Sequence, residues 1–207
     1  MNYILFANPK SGSNILSLLV RNKFSPKVVF TTCANIDSWK MILLRIITKQ
    51  LTVEDKLRFF YKIKFYDYRM INPERLKKII KDNDIEIGFI TTFSYFIKKE
   101  IYECFKYGVF NFHPSLLPLH AGANPIYWVL KNKDEFTGTT CYKITESLDR
   151  GKVFLQSKFK VNKMNEKQLF RKYEIDVSVM LPQICENYNG LEKKSFDSGV
   201  PIFDPKI

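Results

Sequence analysis

Short apolar and β-branched runs alternate with stretches of helical periodicity along these 207 residues, and that alternation restricts the fold more than any other feature. Runs at 3–7, 27–32, 63–66, 85–91, 108–113, 137–144 and 153–161 read as strands. Segments at 15–20, 36–47, 72–81, 98–105, 124–131 and 165–188 read as helices. Asn72-Pro73-Glu74 has the start of a helix written into it: a capping amide, a proline in the first turn, and a carboxylate near the positive helix end. Pro182 is expected to kink the last helix or end it near Leu181, because proline lacks the N–H the helix needs. The stretch 48–61 reads either as a helix or as a loop over a site. Strands alternating with helices predict the α/β class, with an open, mostly parallel sheet and helices on both faces. In such folds ligands bind beyond the carboxyl ends of the strands. The loops at 8–14, 91–97, 111–123 and 145–151 are therefore the places to look for function.

Composition removes several classes of function. With 45% apolar residues the chain can build a core without disulfides or a structural metal. Cys33, Cys104, Cys141 and Cys185 are far apart and form no CxxC pair, which argues against a zinc site or a redox motif. No run approaches the roughly 20 apolar residues of a membrane span, and the amino terminus has no basic and apolar leader pattern. The expectation is a soluble cytoplasmic protein with free thiols. The formal charge of +12 attracts anions, but the lysines are scattered through 62–106 and 152–172 and form no single block. A dedicated nucleic-acid patch is not indicated.

Residues 111–122 read Asn-Phe-His-Pro-Ser-Leu-Leu-Pro-Leu-His-Ala-Gly, and Asp-Arg-Gly follows at 149–151. Asn111 and His113 lie on one face of a strand, and a loop can bring Asp149 back to them. An amide offers a neutral donor to a developing oxyanion, which can be worth roughly 3–4 kcal/mol. An imidazole, with an unperturbed pKa of about 6.5, can give or take a proton near neutrality. A carboxylate can hold that imidazole and relay a proton through water. His120 sits in a polar loop and is assigned no catalytic role; Pro114, Leu116, Leu117 and Pro118 read as a rigid apolar turn.

The block Asn-x-His-Pro-Ser-Leu-Leu-Pro, followed at this distance by Asp-x-Gly, resembles the folate-dependent formyltransferases strongly over 85–160 and loosely over 1–84. The resemblance implies a single Rossmann-like formyltransferase domain, placed at 1–188, with 189–207 as an irregular tail. It implies transfer of a formyl group from 10-formyltetrahydrofolate to a primary amine, with Asn111, His113 and Asp149 as the catalytic residues and no metal. It implies folate contacts from Phe93, Tyr95 and Ile97 through the main chain, and from Thr145, Ser147 and Leu148 on the loop closing the other side of the pterin.

For the acceptor, Gly122-Ala123-Asn124-Pro125-Ile126-Tyr127-Trp128 resembles the sugar N-formyltransferases. That branch implies a nucleotide-linked deoxyamino sugar such as dTDP-4-amino-4,6-dideoxyglucose, bound in part by Gly122 and Asn124, and a homodimer. Gly12, Ser13 and Asn14 fit either a phosphate-holding loop or a plain helix cap. Their similarity to the phosphate loop of glycinamide ribonucleotide formyltransferase makes purine synthesis the nearest rival. That enzyme tends to carry His where this chain has Tyr142. Methionyl-tRNA formyltransferases share the Ala-Asn-Pro-Ile stretch but carry an added C-terminal barrel, for which the residues after Val161 are too few. A non-catalytic folate or nucleotide-sugar binder would need only part of the Asn, His and Asp set.

Overall fold

The computed structural model describes residues 1–8, 12–32, 61–197 and 202–203, with side chains described through 189. The helix expected at 36–47, most of the 48–61 stretch and Cys33 lie outside the described residues. The chain has the expected α/β class and separates into two compact units, one over 2–107 and the other over 108–207 together with Met1.

The amino-terminal unit holds β1 (Asn2–Ala7), α1 (Gly12–Arg21), β2 (Val28–Thr31), β3 (Lys64–Asp67), α2 (Pro73–Asp82), β4 (Ile85–Thr91) and the short α3 (Lys99–Tyr102). Its strands run in the order β4-β1-β2-β3 and all pair in parallel. Tyr3, Ile4, Leu5, Phe6, Val28, Phe30, Ile87 and Phe89 are buried, as expected of parallel strands covered on both faces. The Asn72 cap forms as the sequence suggests: its side-chain oxygen accepts from Arg75 N at 2.8 Å. The helix expected at 98–105 stops early. Cys104 N and Phe105 N donate to carbonyls only three residues back, at 3.2 and 3.4 Å, so the chain tightens into turns after Tyr102.

The carboxyl-terminal unit holds β5 (Val109–His113), α4 (Pro125–Lys131), β6 (Phe136–Thr137), β7 (Thr140–Lys143), β8 (Val153–Ser157), β9 (Phe159–Lys160), α5 (Glu166–Asp197) and β10 (Ile202–Phe203). Its larger sheet runs β10-β8-β7-β5, and β6 pairs with β9 separately. Here β7 is antiparallel to both β5 and β8, whereas β10 is parallel to β8. The strand expected over 137–144 is interrupted at Gly138 and Thr139 because Thr139 N donates to the Ser157 hydroxyl at 2.8 Å instead of to a strand carbonyl.

Two expectations for the last helix need correction. It passes through Pro182, held on the inside by buried Met180, Leu181, Ile184 and Cys185, and leaves helical angles only at Asn187. It then continues to Asp197, so the residues after 189 are not an irregular tail throughout. Among the described residues, no helix is long and apolar enough to cross a membrane.

Candidate active site

Asn111 and His113 occupy alternate positions on β5, so their side chains share one face, while Phe110 and Phe112 are buried on the other. The antiparallel ladder sets Tyr142 of β7 directly opposite Asn111 and Thr140 opposite His113. Cross-strand partners in such pairs lie close enough for side chains to touch. The Asn111 amide donates to the Tyr142 hydroxyl at 2.9 Å. That hydroxyl in turn donates to Asp149 Oδ1 at 2.6 Å.

Asp149 comes from the turn between β7 and β8. Its backbone is left-handed at φ 52°, a conformation that Asp tolerates better than most residues and that recurs at functional sites. Its second oxygen accepts from Gly122 N at 2.6 Å and lies 3.6 Å from His113 Nδ1. The glycine of Asp-Arg-Gly has a structural cause. A Cβ on Gly151 would stand 1.7 Å from the carbonyl oxygen of Lys143, so only glycine lets the turn close onto the end of β7. His113 and Asp149 are 5% and 6% exposed, and Tyr142 is 1% exposed.

The ring of His113 has a determined tautomer. Nε2 lies 2.9 Å from the carbonyl oxygen of His120, which can only accept, so Nε2 carries the proton. In the neutral ring the lone pair is then on Nδ1, the nitrogen facing Asp149. His120 is itself held: its ring pairs with Asp134 at 2.5 Å and its backbone is left-handed at φ 54°. It thus contributes to the site through its carbonyl, a role the sequence did not reveal.

The His-Pro-Ser-Leu-Leu-Pro loop is more than an apolar turn. Ser115 is fully buried; its N–H donates to the His113 carbonyl at 2.9 Å and its hydroxyl to the Leu119 carbonyl at 2.6 Å. Thr140 Oγ1 donates to the Ser115 carbonyl at 2.6 Å and accepts from Leu117 N at 3.0 Å. Gln156 of β8 donates to both Leu117 O and Thr140 Oγ1, at 3.1 and 2.7 Å. Sequence reasoning missed Tyr142, Ser115, Thr140 and Gln156 as supports. The only signal was that Thr140 and Tyr142 share one face of a strand, which says nothing about its neighbour.

The other expected site residues lie some in the carboxyl-terminal unit and some in the amino-terminal one. Thr145, Ser147 and Leu148 are exposed on the loop preceding Asp149, where the Thr145 hydroxyl donates to the Ser147 carbonyl at 3.2 Å. Gly122 meets Asp149, whereas Asn124 is exposed at the start of α4 with φ 55° and no side-chain capping bond. In the amino-terminal unit, Phe93 packs edge-on against Tyr68 with ring centroids 5.2 Å apart, Tyr95 is largely exposed, and Ile97 is buried. Gly12, Ser13 and Asn14 form the first turn of α1 and not a loop before it. A Cβ on Gly12 would come 2.7 Å from that of Ala7, so close helix-to-strand packing already accounts for the glycine. Among the described residues, no group of three or more His, Cys, Asp or Glu is arranged to hold a metal.

Comparison with known proteins gives the chain a family. Residues 3–176 match the family described as Formyl transferase. Methionyl-tRNA formyltransferase of Pseudothermotoga lettingae is 28% identical over 160 residues, which cover 77% of this chain and 49% of that protein. The bifunctional polymyxin resistance protein ArnA of Wigglesworthia glossinidia brevipalpis is 30% identical over 178 residues, covering 83% of this chain and 25% of that one. Phosphoribosylglycinamide formyltransferase from Anaplasma phagocytophilum has the same fold, with a TM-score of 0.72, 13% identity, and coverage of 100% and 99% of the two chains. The chain spans about half the length of the first methionyl-tRNA formyltransferases it matches. With the family model matched from β1 into α5, the chain belongs to the formyl transferase family.

Proposed function

We propose that this protein transfers the formyl group of 10-formyltetrahydrofolate to a primary amine. The observation that carries the reading is the meeting of Asn111, His113 and Asp149 through the Tyr142 hydroxyl and the His113–Asp149 approach. The acceptor nitrogen attacks the formyl carbon, forming an N–C bond while the carbonyl electrons move to oxygen. The Asn111 amide is the neutral donor to that oxyanion. His113 Nδ1, the unprotonated nitrogen of the neutral ring, takes the proton that the attacking nitrogen must lose. Asp149, beside Nδ1, stabilises the imidazolium so formed. The proton then passes to N10 of the folate as the carbon–N10 bond breaks, leaving a formamide and tetrahydrofolate. Thr145, Ser147 and Leu148 are assigned to the folate within the same reading.

The acceptor is proposed to be a nucleotide-linked deoxyamino sugar in the cytoplasm. Support comes from the loop that begins at Gly122 and leads into α4, where Tyr127 and Trp128 are exposed and can stack on a sugar or a base. A second acceptor, methionyl-tRNA, is favoured by the relatives named above and by the formal charge of +12. Release of tetrahydrofolate from 10-formyltetrahydrofolate is the test, with dTDP-4-amino-4,6-dideoxyglucose, glycinamide ribonucleotide and methionyl-tRNA supplied separately. Turnover with the amino sugar alone is expected. Turnover with either of the others alone overturns the acceptor, and release with none of the three overturns catalysis by the chain as it stands.

A further inference from the structure

Among the described residues, Tyr142 is a buried polar side chain that touches two of the three residues assigned to catalysis, and the formyl-transfer reading gives it no part. Its hydroxyl has a single proton, and the geometry decides where that proton goes. Both Asp149 oxygens act as acceptors, Oδ1 toward Tyr142 and Oδ2 toward Gly122 N. The tyrosine proton is therefore spent on Asp149, and the hydroxyl oxygen is left to accept. Asn111 can meet an acceptor only with its NH₂ group, so the amide is fixed in one of its two flip states, nitrogen toward Tyr142 at 2.9 Å. One N–H of Asn111 is used in that bond, and the second is left for a substrate oxygen.

We infer that Tyr142 is a positioning residue, whose hydroxyl locks the orientation of the Asn111 amide and of the Asp149 carboxylate together. The inference rests on the formyl-transfer reading above. Burial, and then the bond to Asp149, push the Tyr142 phenol up from its ordinary value, so it remains a donor throughout the working pH range. The ladder pairing of Tyr142 with Asn111 places the hydroxyl by backbone register, which a flexible side chain from a loop would not do. An unlocked Asn111 would spend part of its time with its carbonyl, and not its NH₂, toward the oxyanion. The transition state loses from this and the ground state does not, so the cost falls on kcat.

The test is Tyr142→Phe, which keeps the ring and removes the hydroxyl. With whichever acceptor the wild-type protein turns over from the three named above, kcat is expected to fall about 10- to 100-fold while KM for the folate changes by less than about threefold. A purely structural role would lower the amount of folded enzyme and leave kcat per folded molecule intact, and that result overturns the inference. A measurement without turnover separates this from failure of the formyl-transfer reading. In the Phe variant the nitrogen-15 side-chain amide signals of Asn111 are expected to shift and broaden, because the hydroxyl that held the amide in one orientation has gone. Unchanged Asn111 side-chain signals overturn the inference even if every acceptor is inert. Should the Phe variant not fold, the wild-type protein must show a slowly exchanging Tyr142 hydroxyl proton with cross-relaxation to the Asn111 side-chain amide, and its absence overturns the inference.

Discussion

Thr140 Oγ1 donates to the carbonyl oxygen of Ser115 at 2.6 Å and ties the loop after His113 to the strand beside it. The same oxygen accepts from Leu117 N and Gln156 Nε2, so one buried hydroxyl serves three groups. Thr140→Val keeps the shape and removes all three bonds. Leaving buried polar groups unpaired costs about 1–3 kcal/mol. Urea unfolding of the variant is expected to show a loss of that size, together with a lower formyl-transfer rate per folded molecule as the His113 loop loosens. A variant as stable as the wild type would mean that the clamp carries no energy.

His113→Asn tests the chemistry with little disturbance to the fold. The asparagine amide takes up roughly the position of Nδ1 beside Asp149 and supplies no base there. Loss of a general base lowers rates about 10²- to 10⁴-fold. Steady-state kinetics are expected to show a loss in that range, with folate affinity by calorimetry unchanged. Turnover at the wild-type rate would remove His113 from the mechanism.

The parts of the fold legible in the sequence were those with local causes. The Asn72-Pro73-Glu74 start, the apolar run of β4 and the delivery of Asn111 and His113 at the end of β5 follow from residues adjacent in the chain. The parts that escaped depend on distant groups. Whether 137–144 is one strand or two depends on the Ser157 hydroxyl, and whether α5 survives Pro182 depends on the packing of Leu181 and Ile184. At the site, the motif named the three side chains proposed for catalysis but not Tyr142, which joins two of them. Tyr142 reaches Asn111 only because β5 and β7 pair in one register, and register is a property of two strands together.

Gly151→Ala probes the turn that presents Asp149. The added methyl would stand 1.7 Å from the Lys143 carbonyl oxygen, and backbone on both sides must move to admit it. Overpacking of this kind costs about 1–3 kcal/mol. The stability loss is expected to appear in urea unfolding, and kcat is expected to fall because Asp149, two residues away, moves with the turn. Wild-type stability in this variant would show that the turn is soft enough to relocate.

Asp176 supplies a pH dependence separate from catalysis. Its carboxyl is fully buried on α5; Oδ2 accepts from the Thr139 hydroxyl at 2.9 Å and from Ser157 Oγ, while Oδ1 has no hydrogen-bond partner among the described residues. Burial raises its pKa, opposed by the bonds from Ser157 and Thr139 and by the Lys172 charge. The folded chain therefore holds a proton on Asp176 at pH values where the unfolded chain has released it. Across that window the native state binds more protons, so stability falls as pH rises, whereas below the ordinary carboxylate value the contribution is level. Asp176→Asn keeps an oxygen for the two hydroxyls and cannot ionise. The difference in Tm between variant and wild type is expected to shift in the variant's favour as the buffer goes from about pH 4 to about pH 8. A difference that stays constant across that range would show that Asp176 does not change its protonation on unfolding.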